Sequence, residues 1–238
     1  YLAQHLDDAV ARSDGRLRLV RETVIGVRRL QDGYRIHLAD GGDFRSDLVV
    51  LALGALPPRV LPELDAALAV DLRYIGRPWT PDALDGVPSD ARVLVVGTGL
   101  TMADVVTTLR RQGHAGPVTA ISRHGLLPQP HRATRQPPIA PPALQKVAED
   151  GSLRELVRAL RAMAAVADDW RPLVDGLRPY TQELWQRLDD GERRRFLRHL
   201  RAHWEVHRHR IAPEVAGVLQ ADRDAGRLHF EATHPLHA

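Results

Sequence analysis

The chain of 238 residues carries 33 basic residues against 30 acidic ones, a formal net charge of +3, and no cysteine. That is enough chain for one large or two small domains with a buried core, and it excludes thiol nucleophiles, disulfide relays, Cys-zinc sites and iron–sulfur clusters. The single lysine, Lys146, forms no Gly-Lys-Ser/Thr phosphate loop, no tyrosine has a lysine four residues on, and no serine sits in a Gly-x-Ser-x-Gly elbow.

From the N-terminus, Leu2, Leu6, Ala9 and Val10 space an amphipathic helix from Tyr1 to about Ala11, closed by Ser13-Asp14-Gly15. Residues 17–27 and 34–38 alternate apolar and polar side chains, which predicts half-exposed antiparallel strands parted by Asp32-Gly33. After Asp40-Gly41-Gly42, the continuously apolar run 48–53 predicts a strand buried on both faces and ending at Gly54. Six prolines between 57 and 90 break any period, so that stretch reads as a connector.

A second buried strand is expected at 92–96, then a glycine turn, a helix from about Leu100 to Gln112, and a strand at 118–122. Strand, turn, helix and strand in this order make the first half of a parallel unit. Prolines recur through 126–142 and forbid regular structure there. Beyond them the pattern is helical to about Gly226, with breaks at Gly151, Trp170-Arg171-Pro172, Asp189-Asp190-Gly191 and Pro213. A last strand at 227–230 is expected to return to the same sheet. The predicted class is α/β: a Rossmann-like parallel sheet with a helical insertion, plus an antiparallel β-meander.

The longest uncharged apolar runs, 48–58 and 93–103, are about 11 residues each, short of the ~20 that a spanning helix needs. A soluble, cytoplasmic protein without a membrane partner is expected. The start at Tyr1 and the end just after a strand suggest a piece of a longer protein.

The chemistry lies in Val95-Val96-Gly97-Thr98-Gly99-Leu100-Thr101-Met102-Ala103. Gly97 permits a tight turn out of the strand, and Gly99 lets backbone amides approach a pyrophosphate. The helix from Leu100 and Thr101 turns its positive dipole end and unpaired N–H groups toward that anion. Met102 replaces the third glycine of the fingerprint. An ordinary strand–helix turn without ligand is the competing reading.

The end of the second strand selects the dinucleotide. An NAD-preferring unit places Asp or Glu there for the ribose 2′-hydroxyl, whereas this chain has Ser122, Arg123 and His124. A guanidinium can pair bidentately with a 2′-phosphate, and Ser122 can add a hydroxyl donor. NADP(H) is therefore expected over NAD(H), with NAD(H) and a solvated loop arginine at Arg123 as the alternatives.

Two elements together carry a resemblance. The run Asp47-Leu48-Val49-Val50-Leu51-Ala52-Leu53-Gly54 before Pro57-Pro58 resembles the Ala-Thr-Gly strand that closes the FAD domain of two-dinucleotide flavoproteins, with Leu53 in place of the threonine. With Gly97-Thr98-Gly99 about 40 residues later, the chain resembles bacterial FAD/NAD(P)-binding proteins related to flavin monooxygenases and N-hydroxylases. The stretch with Trp185, Arg195-Phe196-Leu197-Arg198 and 203–210 is also similar to that group. The resemblance implies a flavin-dependent NAD(P)H oxidoreductase with cofactor contacts at Ala52 and Gly54. It divides the chain into the end of an FAD domain (1–56), a connector (57–90), a NAD(P)-binding unit (91–125 and 212–231) and a helical insertion (126–211). It implies FAD in the parent protein, a first fingerprint upstream of Tyr1, and an unidentified small-molecule substrate. No side chain need act as acid or base. A non-catalytic dinucleotide-binding or interaction module is the alternative.

Other constellations read blandly. His199, His203 and His207 recur every four residues, but an ideal projection places His207 within, and His203 at the edge of, an arc with Phe196, Leu197, Leu200 and Trp204. Packed histidines are expected there, with no metal. From Glu192 to Arg210, seven arginines and two glutamates give a local +5. The aromatic residues sit on the apolar side, so a solvated face without nucleic acid is expected. Trp79 is expected to pin the connector rather than line a cofactor crevice.

Overall fold

The computed structural model describes residues 1–54, 70–134, 136–139 and 152–233. The chain divides into two units, Tyr1–Pro57 and Pro58–Ala238. In the first, α1 spans Leu2–Ala11 as its spacing predicts, yet buries none of its residues. Strands β1 (Val24–Leu30), β2 (Gly33–Leu38) and β3 (Asp43–Ser46) form an antiparallel sheet in sequence order. Gly33 closes the first hairpin opposite Leu30, and the Asp40-Gly41-Gly42 turn closes the second: Gly42 N–H donates to Asp40 Oδ1 at 2.8 Å.

Two strand boundaries differ from the sequence reading. The first strand begins at Val24 rather than Leu17, because its pairing ends at Val24 opposite Leu38, where β2 turns away. The third strand is the polar segment 43–46, and the apolar run 48–53 forms no strand. The short Asp40 turn fixes the return register, whereas a strand buried on both faces needs neighbours and covering layers. The described residues of this unit supply neither, and Leu48, Val50, Leu51 and Leu53 are 67–86% exposed.

In the second unit, β4 (Val93–Val96), β5 (Val118–Ser122) and β6 (Leu228–Ala232) form a parallel sheet in that order, so the last strand does return to the sheet. Alternation puts Val93 and Val95, Val118 and Ala120, and Leu228 and Phe230 on one face. Helices α2 (Leu100–Arg111) and α8 (Pro213–Asp224) cover that face with Val106, Leu109 and Leu219. Strand β4 is not buried on both sides as its sequence suggests. It is an edge strand, and Leu94 and Val96 on its other face are half exposed.

One buried carboxylate ties these elements. Asp222 of α8 pairs with Arg110 of α2, and with Arg227 before β6 at 2.7 Å. Burial pushes its carboxyl up, but hydrogen bonds and charge from both guanidiniums outweigh that and hold it below the usual carboxylate range. Leu84 carries the connector into this core beside Ile75 and Val87. Trp79, expected to pin it, is 57% exposed; the smaller Leu84 fits against the helix face.

Between β5 and α8 lie α3 (Leu153–Val166), α4 (Arg171–Leu177), α5 (Thr181–Arg187), α6 (Asp190–Arg195) and α7 (Arg201–Arg208). Ser152 and Glu155 cap α3 reciprocally. The described part of the proline-rich stretch, 126–134 and 136–139, is irregular yet anchored: Gln129 N–H donates to Val206 O at 3.0 Å and Ile139 N–H to Pro172 O at 2.9 Å. A π-helical turn, Phe196–Leu200, joins α6 to α7. It breaks the uniform 100° projection, and Leu197, placed by that projection on the apolar arc, is half exposed. No helix among the described residues is long and apolar enough to cross a membrane.

Candidate functional site

The carboxyl ends of β4 and β5 meet at the glycine turn. Gly97 has φ +110°, a conformation that side-chain-bearing residues rarely adopt, and its N–H donates to Ile121 O at 2.7 Å. The buried Thr98 hydroxyl donates to Leu126 O at 2.6 Å. With its hydrogen committed, Thr98 Oγ1 accepts from Ser122 Oγ at 2.8 Å. Ser122 Oγ in turn accepts the Gly125 N–H at 3.0 Å. Both hydroxyls thus latch the loop after β4 to the loop after β5. The Ser122 proton is spent on that latch rather than offered to a ligand.

Gly99 is different. Its φ of −86° and ψ of −160° are open to any residue, and a Cβ built on it meets nothing within 4 Å. Backbone strain does not call for glycine there, nor does packing against the described residues; as the N-cap of α2 it fills a position that glycine tolerates well.

No side chain caps α2 and its first turn holds no acid, as in α1, α4 and α7, whereas Ser152 caps α3 and Asp189 caps α6. The first-turn amides of α2 have no side-chain partner, and the positive end of the helix dipole lies behind them. Leu100 and Thr101 are exposed on that turn. Met102, at the third glycine position, and Ala103 face inward at 1% exposure, which packs α2 onto the sheet.

Arg123 and His124 lie exposed just past β5, with no hydrogen bond or ion pair to the described residues. Residues 97–101 and 122–124 therefore share one edge of the parallel sheet. Ala52 and Gly54 belong to the other unit, where Gly54 has φ +69° in the exposed run. Sequence reasoning missed Gly125 and the Leu126 carbonyl. The latch spans 24 positions from Thr98 to Ser122, and only the glycine after His124 hinted at a turn.

Of the histidine series only His207 packs as expected among the described residues, while the His199 and His203 side chains are exposed. His207 packs edge-on against Trp170, with ring centroids 4.7 Å apart, and its Nδ1 bonds the His203 carbonyl at 2.7 Å. Arg210, counted in the basic face, is a buried partner of Asp175, with both contacts at 3.0 Å. The linear sequence does not separate it from its solvated neighbours.

A parallel β–α–β unit whose uncapped helix follows a Gly-x-Gly turn is the arrangement of dinucleotide-binding α/β proteins. A family model described as FAD-NAD(P)-binding matches residues 1–56. That match supports dinucleotide binding in general terms, and it falls on the antiparallel unit, ending before Gly97. No curated protein and no solved structure matches the chain.

Proposed function

We propose that the chain is part of an FAD-dependent NAD(P)H oxidoreductase that binds NADP(H) at the 97–101 turn. The observation that carries this is the Gly97-Thr98-Gly99 turn at the carboxyl end of β4, with Gly97 at φ +110° and no described atom within 4 Å of a Cβ built on Gly99, ahead of a helix without a side-chain cap. The amides of that turn bind the pyrophosphate, Gly97 and the Thr98–Ser122 latch hold the turn rigid, and Arg123 pairs with the 2′-phosphate. His124 lies beside it on the same loop. When bound, the nicotinamide supplies a hydride to a flavin. The chain's part is to position the dinucleotide and exclude water.

On this reading residues 1–56 are the end of an FAD-binding domain and touch FAD at Ala52 and Gly54. Residues 57–90 connect it to the NAD(P)-binding unit of 91–125 and 212–231, with 126–211 as a helical insertion. FAD is then held largely by sequence outside this chain. The family match over residues 1–56 supports the flavin half of the proposal.

The test is calorimetric titration of the chain with NADPH and NADH. Gly99→Val, whose new side chain has open space among the described residues, should weaken both by about 10–100-fold, the worth of one or two charge-assisted hydrogen bonds, with a loss of stability of no more than about 1 kcal/mol from the poorer N-cap. Arg123→Glu should weaken NADPH far more than NADH. Wild-type protein that binds neither nucleotide defeats the proposal, and equal losses in Arg123→Glu defeat its NADP preference.

A further inference from the structure

A cavity of about 490 Å³ lies within the helical segment, between α3, α4, α5, the π-helical turn and α7. That is roughly three times the engineered apolar cavity that takes up benzene, and within the range of small-molecule pockets. Leu156, Leu160 and Ala164 line it from one face of α3 at helical spacing, facing Leu173, Phe196 and Trp204. These side chains are only partly buried apart from Leu173. The apolar stripe of α3 opens onto the cavity instead of closing against a neighbouring helix.

The aromatic wall is held from behind. Trp170 has the guanidiniums of Arg171 and Arg210 over its ring at 4.7 and 5.1 Å, and Trp185 packs edge-on against Phe196 with Arg193 at 5.8 Å. Such cation–π and edge contacts fix ring orientation without a ligand, so the cavity is preformed. Among the described residues no carboxylate lines it, and Arg161 is the lining residue of fixed charge. Arg161 is exposed and makes no hydrogen bond or ion pair with the described residues.

We infer that this cavity binds an amphiphilic monocarboxylate, with its apolar body among the leucines and tryptophans and its carboxylate on Arg161. An apolar cleft open to water calls for an apolar occupant, and an unpaired guanidinium at its wall selects an anionic head with bidentate geometry. The site is independent of the dinucleotide reading.

Dodecanoate, below its micelle concentration, and dodecanol are the probes, titrated into the whole chain by calorimetry with tryptophan fluorescence in parallel. Dodecanoate should bind saturably and quench fluorescence, more tightly than the alcohol. Arg161→Gln should weaken dodecanoate about tenfold and leave dodecanol and NADPH binding unchanged. Leu160→Trp, which fills the cavity, should abolish binding of both probes. No saturable binding of dodecanoate overturns the inference, whether the chain is monomeric or self-associates through this face. Equal affinity for acid and alcohol, or an unaffected Arg161→Gln, overturns the anionic head. Undiminished binding in Leu160→Trp overturns the location.

Discussion

The antiparallel and parallel sheets have three strands each but differ in what they bury. In the first unit, Ile36 and Leu38 are the buried hydrophobic residues among those described, while Ile25, Val27 and Phe44 stay exposed. In the second, Met102, Val106, Leu109, Val118 and Ala120 are at most 1% exposed. An antiparallel meander is closed by short turns that bring no covering layer with them. A parallel sheet requires crossovers, and here α2 and α8 become the cover. The family match falls on the sparsely buried unit, and the proposed nucleotide turn on the well-packed one.

The largest expected break in this contrast is at the buried carboxylate. Asp222→Ala strands Arg110 and Arg227 and should cost about 3–5 kcal/mol, read as a lowered denaturant midpoint. The same group predicts an acid limb. Its carboxyl is held below the ordinary 3.8 in the fold, so its stabilisation is complete above about pH 4 and is lost as pH falls toward the lowered value. Asp222→Asn should flatten that part of the stability–pH curve.

The core comparison comes next. Leu109→Ala removes a fully buried side chain from α2 and should cost about 2–5 kcal/mol. Phe44→Ala in the half-exposed β3 should cost clearly less, under about 1.5 kcal/mol. Equal losses in chemical denaturation would erase the distinction between the units. Smallest is Ser152→Ala, which removes the reciprocal cap of α3 and should cost about 1 kcal/mol. Far-ultraviolet circular dichroism should show the loss as a lower melting midpoint with the dinucleotide affinity intact.

Much of the parallel unit was legible locally. Val93-Leu94-Val95-Val96 before Gly97, the helix from Leu100, and the strand at 118–122 each follow from apolar runs and turn residues. The antiparallel unit was read less well, since Asp43-Phe44-Arg45-Ser46 pairs as a strand without an apolar pattern. The run 48–53 has that pattern without pairing. Pattern reports what a segment would bury, and pairing depends on which neighbour the preceding turn delivers.

The sequence by itself determined the α/β class, the Gly97–Gly99 turn with its following helix, and the absence of thiol chemistry. Those depend on residue type and short spacing. Only the tertiary structure decided that Thr98 and Ser122 brace two loops, that β4 is an edge, that Arg210 is buried on Asp175, and that α3 faces an open cavity. Each joins residues far apart in the chain or depends on which layer covers a face, and neither is written in local periodicity.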